Sequence, residues 1–97
     1  MIDLAPQQIE TVKSVLNAVV PGVAAYAFGS RVNGQAKRHS DLDLALKADE
    51  ALNWRQLAQL REAFEESDLP IRVDVVDWAA CSQQFKAYVV VMELIAP

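Results

Sequence analysis

The sequence predicts a small α/β (α+β) protein, a mixed three-stranded sheet with helices packed mainly on one face. Three observations lead there. Two segments carry apolar residues at helical spacing, two short runs alternate strictly between apolar and polar residues, and helices and strands interleave along the chain.

Ile9, Val12, Leu16 and Val19 recur every three to four positions, which predicts an amphipathic helix over residues 6–19. Pro6 suits its first turn and Pro21-Gly22 ends it. Val23 to Phe28 is short and apolar, as a buried strand is. Gly29 to Ser40 opens as a turn and continues as a polar loop. Asp41 to Leu46 alternates acid or small residue with leucine, the pattern of a strand with one buried face. Asn53 is suited to cap a second helix reaching about Ser67, with Leu57, Leu60 and Phe64 inward. Leu69-Pro70 breaks that helix, and Ile71 to Val76 alternates as a third strand. Asp77 then caps a last helix running through Phe85, Tyr88, Val89 and Met92 to Leu94, against the β-branched run Val89-Val90-Val91.

At 97 residues the chain has room for one domain, residues 1–97. Its 53% hydrophobic content excludes intrinsic disorder, and 9 basic against 13 acidic side chains argue against direct DNA binding. One cysteine, Cys81, cannot form an intrachain disulfide, and with one histidine it excludes a zinc site of the His/Cys type. The N-terminal segment lacks a signal peptide's basic and apolar regions, and no apolar run approaches membrane-spanning length. A cytoplasmic protein with no membrane association is expected.

The chemistry concentrates on three acids. Asp41 and Asp43 stand two apart on one strand, so they share a face about 6.5–7 Å apart, while Leu42, Leu44 and Leu46 take the other. Asp74 has the same setting between Val73 and Val75. Carboxylates massed on one patch resist ionisation, and a hard cation such as Mg²⁺ relieves them. Isolated, an Asp-x-Asp pair is more often a wet strand face. Here Gly29-Ser30 and Gly34 precede it, and glycines after a strand let backbone N–H groups approach an anion. A phosphate cradle beside an acid cluster is the minimum for metal-assisted nucleotidyl transfer.

Taken together, Gly29-Ser30, Gly34, Ser40-Asp41-Leu42-Asp43-Leu44 and Asp74 within Val73-Asp74-Val75-Val76 resemble the minimal nucleotidyltransferase (MNT) family of the DNA polymerase beta superfamily. The ordered stretch GSRVNGQAKRHSDLDL matches the family's GS…G…SDxDL pattern without a gap. The resemblance runs from the first helix to the third strand and implies the nucleotidyltransferase fold. It implies that Gly29 and Ser30 hold the phosphates of ATP, with Arg31 and Ser40 beside them as nucleotide-binding residues. It further implies that Asp41, Asp43 and Asp74 are catalytic and bind two Mg²⁺ ions, Asp74 on the side of the attacking hydroxyl. Lys37-Arg38-His39 reads as a solvated loop, Trp54 and Trp78 as packing residues, Cys81 as a small buried hydrophobe, and Asp77 as a cap rather than a fourth ligand.

Only 23 residues follow Asp74, too few for the helical domain of antibiotic-modifying relatives, so acceptor recognition is expected from another chain, in an oligomer or hetero-complex. The resemblance implies a helical HEPN-type toxin as partner and transfer of AMP to a tyrosine hydroxyl of that toxin. Its alternative is an antitoxin that neutralises the toxin by binding alone. The apolar tail Ala87 to Ile95 reads as an interface or a core helix.

Overall fold

The computed structural model describes residues 2–89 and 91–96. The elements are α1 (Pro6–Val19), β1 (Ala24–Phe28), α2 (Ser30–Asn33), β2 (Leu42–Lys47), α3 (Trp54–Glu66), β3 (Val73–Asp77), a 3₁₀ turn (Trp78–Ala80), α4 (Gln83–Tyr88) and β4 (Met92–Ala96).

The helix ends follow from their side chains. Ala5 has no capping oxygen, so the Gln8 carboxamide accepts from the Ala5 N–H at 2.9 Å, and Pro6 occupies the first turn where no N–H is needed. At α3 the box is reciprocal: Asn53 Oδ1 accepts from the Gln56 N–H at 2.8 Å, and Gln56 Oε1 accepts from the Asn53 N–H at 3.1 Å.

The strands form one four-stranded sheet in the order β3-β2-β1-β4. β2 and β3 run parallel, joined through α3, and the other pairs are antiparallel. Alternation sends Ala25 and Ala27 of β1, Leu42, Leu44 and Leu46 of β2, and Val73 and Val75 of β3 to one face. There they meet Val12 and Leu16 of α1 and Leu60 and Phe64 of α3 in a single buried core. Fully burying a leucine of this kind is worth about 1.5–3 kcal/mol, so the three leucines of β2 anchor the strand that carries Asp43.

Two expectations are corrected. The sheet has four strands, not three, because the last helix stops at Tyr88 and Met92–Ala96 pairs with β1 instead of continuing as helix to Leu94. Val89 and Val91 lose side-chain freedom in a helix and suit an extended chain, and β1 otherwise presents an open edge; Val90 lies outside the described residues. A register shift at Ala25/Tyr26 then buries Ile95 and Ala96 and leaves Leu94 half exposed. Trp54 also departs from its expected packing role, standing exposed on α3 with the Arg55 guanidinium over its ring.

Candidate active site

The second face of the sheet carries Tyr26 and Phe28 of β1, Asp43 and Ala45 of β2, and Asp74 and Val76 of β3. The 3₁₀ turn and α4 cover part of it: the Phe85 ring meets Phe28 edge-on at 5.8 Å between centroids, and Trp78 at 6.4 Å. Asp77, one residue before the turn, lies on the core-facing side. Its carboxylate accepts from the Ala79 N–H at 3.2 Å and the Leu52 N–H at 3.0 Å, so it is a cap, but of the 3₁₀ turn and not of the last helix as expected, which Ser82 caps instead.

Beyond that cover, a cavity of about 480 Å³ opens at the end of β1, lined by Phe28, Gly29, Ser30, Asn33, Asp43, Tyr88, Val89 and Val91. The turn into α2 and the Asp43 carboxylate contribute polar groups to this lining, and Phe28, Tyr88, Val89 and Val91 contribute its apolar part. Gly29 has φ +80°, and a Cβ added there would stand 2.5 Å from Asp43 Oδ2. Only glycine supplies both the positive φ and the absent side chain that let turn and acid approach. Gly34, also at positive φ (82°), ends α2 in the left-handed conformation.

Asp43 and Asp74 are register partners on adjacent parallel strands. Burial pushes the Asp43 carboxyl above the ordinary carboxylate value, with the charges of Asp74 and Asp41 adding to the rise. Asp41 stands immediately before β2, one residue outside its expected strand. Asp74 is half exposed, away from the cavity's lining, with its Oδ1 3.7 Å from the Arg72 Nε. That pair is solvent-exposed and weakly held. Among the described residues no three His, Cys, Asp or Glu side chains converge into a ready-made metal cage. The donor set is nevertheless all carboxylate oxygen, the kind Mg²⁺ takes while completing its shell with water and substrate phosphate.

The expected nucleotide residues divide. Gly29 and Ser30 line the cavity with Asp43, whereas Arg31 turns away from it into the protein, where backbone carbonyls take its guanidinium. Ser40 accepts the Lys37 N–H on its hydroxyl at 2.8 Å and holds the loop before Asp41. Sequence reasoning missed Tyr88, Val89 and Val91 as cavity residues. The β-branched run was the available signal, since it favours extended chain where α4 stops at Tyr88.

A family model described as polymerase beta, nucleotidyltransferase, matches residues 10–95. The chain belongs to that nucleotidyltransferase family. It is 46% identical over 97 residues to a probable protein adenylyltransferase, MntA, of Haemophilus influenzae, covering 95% of this chain and 85% of the relative. A toxin–antitoxin crystal structure with AMP-PNP is similar with a TM-score of 0.74 and 26% identity, over 90% of this chain and 71% of that one. A Shewanella oneidensis complex of tri-AMPylated HEPN toxin with MNT antitoxin matches in fold, with a TM-score of 0.60 and 22% identity over 92% of this chain and 69% of that one. Among the described residues of this nucleotidyltransferase, no helix is long and apolar enough to cross a membrane.

Proposed function

We propose that this nucleotidyltransferase transfers AMP from ATP to a tyrosine hydroxyl of a partner HEPN toxin, in a Mg²⁺-dependent reaction, and so serves as the antitoxin of a toxin–antitoxin pair. The observation that carries the reading is the meeting of the Gly29-Ser30 turn and Asp43 in one cavity, with Asp74 on the neighbouring strand. The near full-length similarity to MntA supports the acceptor class.

In this reading the backbone at Gly29 and the Ser30 hydroxyl hold the β- and γ-phosphates, and the apolar wall of Phe28, Tyr88, Val89 and Val91 takes the nucleoside end. The Asp41 and Asp43 carboxylates would hold metal on the nucleotide side, and Asp74 would hold it on the acceptor side. Two bound Mg²⁺ ions would neutralise phosphate charge and make the acceptor hydroxyl easier to ionise. Asp74 takes the proton of the tyrosine hydroxyl, which requires its carboxylate to leave Arg72. The phenolic oxygen forms a bond to the α-phosphorus, the bond from the α-phosphorus to the bridging oxygen breaks, and pyrophosphate departs from the Gly29-Ser30 turn. The carboxyl of Asp43, raised first by burial and then by the charges of Asp74 and Asp41, suits a site completed by a cation, which would offset both the lost hydration and the repulsion.

The test is to incubate the protein with ATP, Mg²⁺ and the HEPN toxin and weigh the toxin by mass spectrometry. A gain of one or more adenylyl groups, lost when Mg²⁺ is chelated, supports the assignment. A stable complex with unchanged toxin mass contradicts it and leaves neutralisation by binding alone.

A further inference from the structure

Arg31 follows directly after the Gly29-Ser30 turn, a position that invites a phosphate contact. Its side chain is instead only 7% exposed. Nη1 donates to the Asp3 carbonyl at 3.0 Å, Nε donates to the Ser40 carbonyl at 3.2 Å, and Nη2 donates to the carbonyls of Ser40 at 2.9 Å, Arg38 at 3.2 Å and Lys37 at 3.4 Å. The Asp3 N–H in turn donates to the Arg31 carbonyl at 2.7 Å. The loop closes on itself around this cation, with the Ser40 N–H donating to the Lys37 carbonyl at 3.0 Å and the Lys37 N–H to the Ser40 hydroxyl at 2.8 Å. A flat fork of donors can gather several carbonyls at once, which the point charge of a lysine cannot.

We infer that Arg31 is a positioning residue that ties the Gly29-Ser30 turn to the 37–40 loop and so fixes Asp41 at the entrance to β2. This rests on the reading of Asp41 as a metal-holding acid. The residue on its N-terminal side, Ser30, faces the cavity, while its guanidinium holds the chain up to the residue before Asp41. The phosphate side and the metal side of the site are thereby set at a fixed separation, through Arg31 and without its touching the nucleotide. The exposed Lys37-Arg38-His39 run has no core of its own to order it, and the guanidinium supplies the anchoring that apolar packing supplies elsewhere.

The test compares wild type with Arg31→Lys, which keeps the charge and loses the fork. Amide hydrogen exchange at Lys37 and Ser40 should quicken by about tenfold or more in the variant, as expected when hydrogen bonds to a charged group are lost. The Mg²⁺ concentration for half-maximal AMP transfer to the toxin should rise, and transfer should fall by about 100-fold, the scale of an ångström's misplacement. The KM for ATP at saturating Mg²⁺ should stay near wild type. Unchanged exchange at these amides overturns the proposal. So does a raised KM for ATP with an unchanged Mg²⁺ requirement, which would make Arg31 a phosphate ligand. The exchange comparison holds even if the protein transfers nothing, so failure of the adenylyltransferase reading is seen separately. Should Arg31→Lys not fold, wild type decides: slow exchange at Lys37 and Ser40 supports the clamp, and exchange at free-loop rates overturns it.

Discussion

At the residue scale the site is a compromise between stability and chemistry, and Asp43 shows it best. Its carboxyl is raised by burial first and by Asp74 and Asp41 second. A carboxyl raised in the folded state holds its proton more tightly there than in the unfolded chain. It therefore favours folding in acid, and that contribution is lost as pH rises through the folded value. Asp43→Asn removes the charge while keeping the shape. Thermal melts in metal-free buffer should show the variant more stable than wild type at pH 7, with the gap closing as pH falls through the raised folded value and gone below about 4, the ordinary value of an aspartate in the unfolded chain. Equal melting temperatures across that range would contradict the cause assigned to the shift. Gly29 is the counterpart of Asp43, since the acid's position is open only because Gly29 has no side chain. Arg31 could not be read in this way from sequence. Its place beside Ser30 suggested phosphate, and only the fold shows four carbonyls already around it.

At the element scale, α1, α3 and the strands β1, β2 and β3 were legible because local and tertiary signals agree, whereas the short α2 falls where a turn and loop were expected. The leucines of β2 alternate, α3 carries both its cap and its inward stripe, and these two elements formed near their expected bounds. The C-terminal segment was less legible because two signals conflicted. Phe85, Tyr88, Val89 and Met92 keep a helical period, while the valine run favours extended chain, and the open edge of β1 decided for a strand. That outcome matters for function, because it leaves exposed Tyr88 in the lining of the same cavity as the Gly29-Ser30 turn. An aromatic ring in the lining of the proposed nucleotide site predicts stacking on the base. Tyr88→Ala should weaken Mg-ATP binding by calorimetry about tenfold, at the lower end of base–aromatic stacking, and Tyr88→Phe should bind as wild type. A loss in Tyr88→Phe equal to that in Tyr88→Ala would assign the effect to the hydroxyl instead.

At the scale of the whole molecule, the sheet separates two tasks. One face, against α1 and α3, holds nearly all the buried apolar side chains, and the other presents Asp43, which lines the cavity, and Asp74 on the neighbouring strand. The division was visible in the alternation of Asp41 to Leu46 and Ile71 to Val76, since a strand that buries every leucine must show every acid. The acids' unequal places were not visible, because they depend on strand order and on Arg72. Asp43 lines the cavity, and Asp74 stands at the edge strand. The most direct test of the central claim follows from that inequality: Mg-ATP affinity measured beside single-turnover AMP transfer to the toxin, for wild type, Asp41→Ala and Asp74→Ala. Asp41→Ala should lose binding and transfer together. Asp74→Ala should bind Mg-ATP nearly as wild type while transfer falls by at least the ~10²–10⁴ typical of a lost general base. If Asp74→Ala keeps its transfer rate, or loses ATP affinity as severely as Asp41→Ala, the roles given to these acids are wrong.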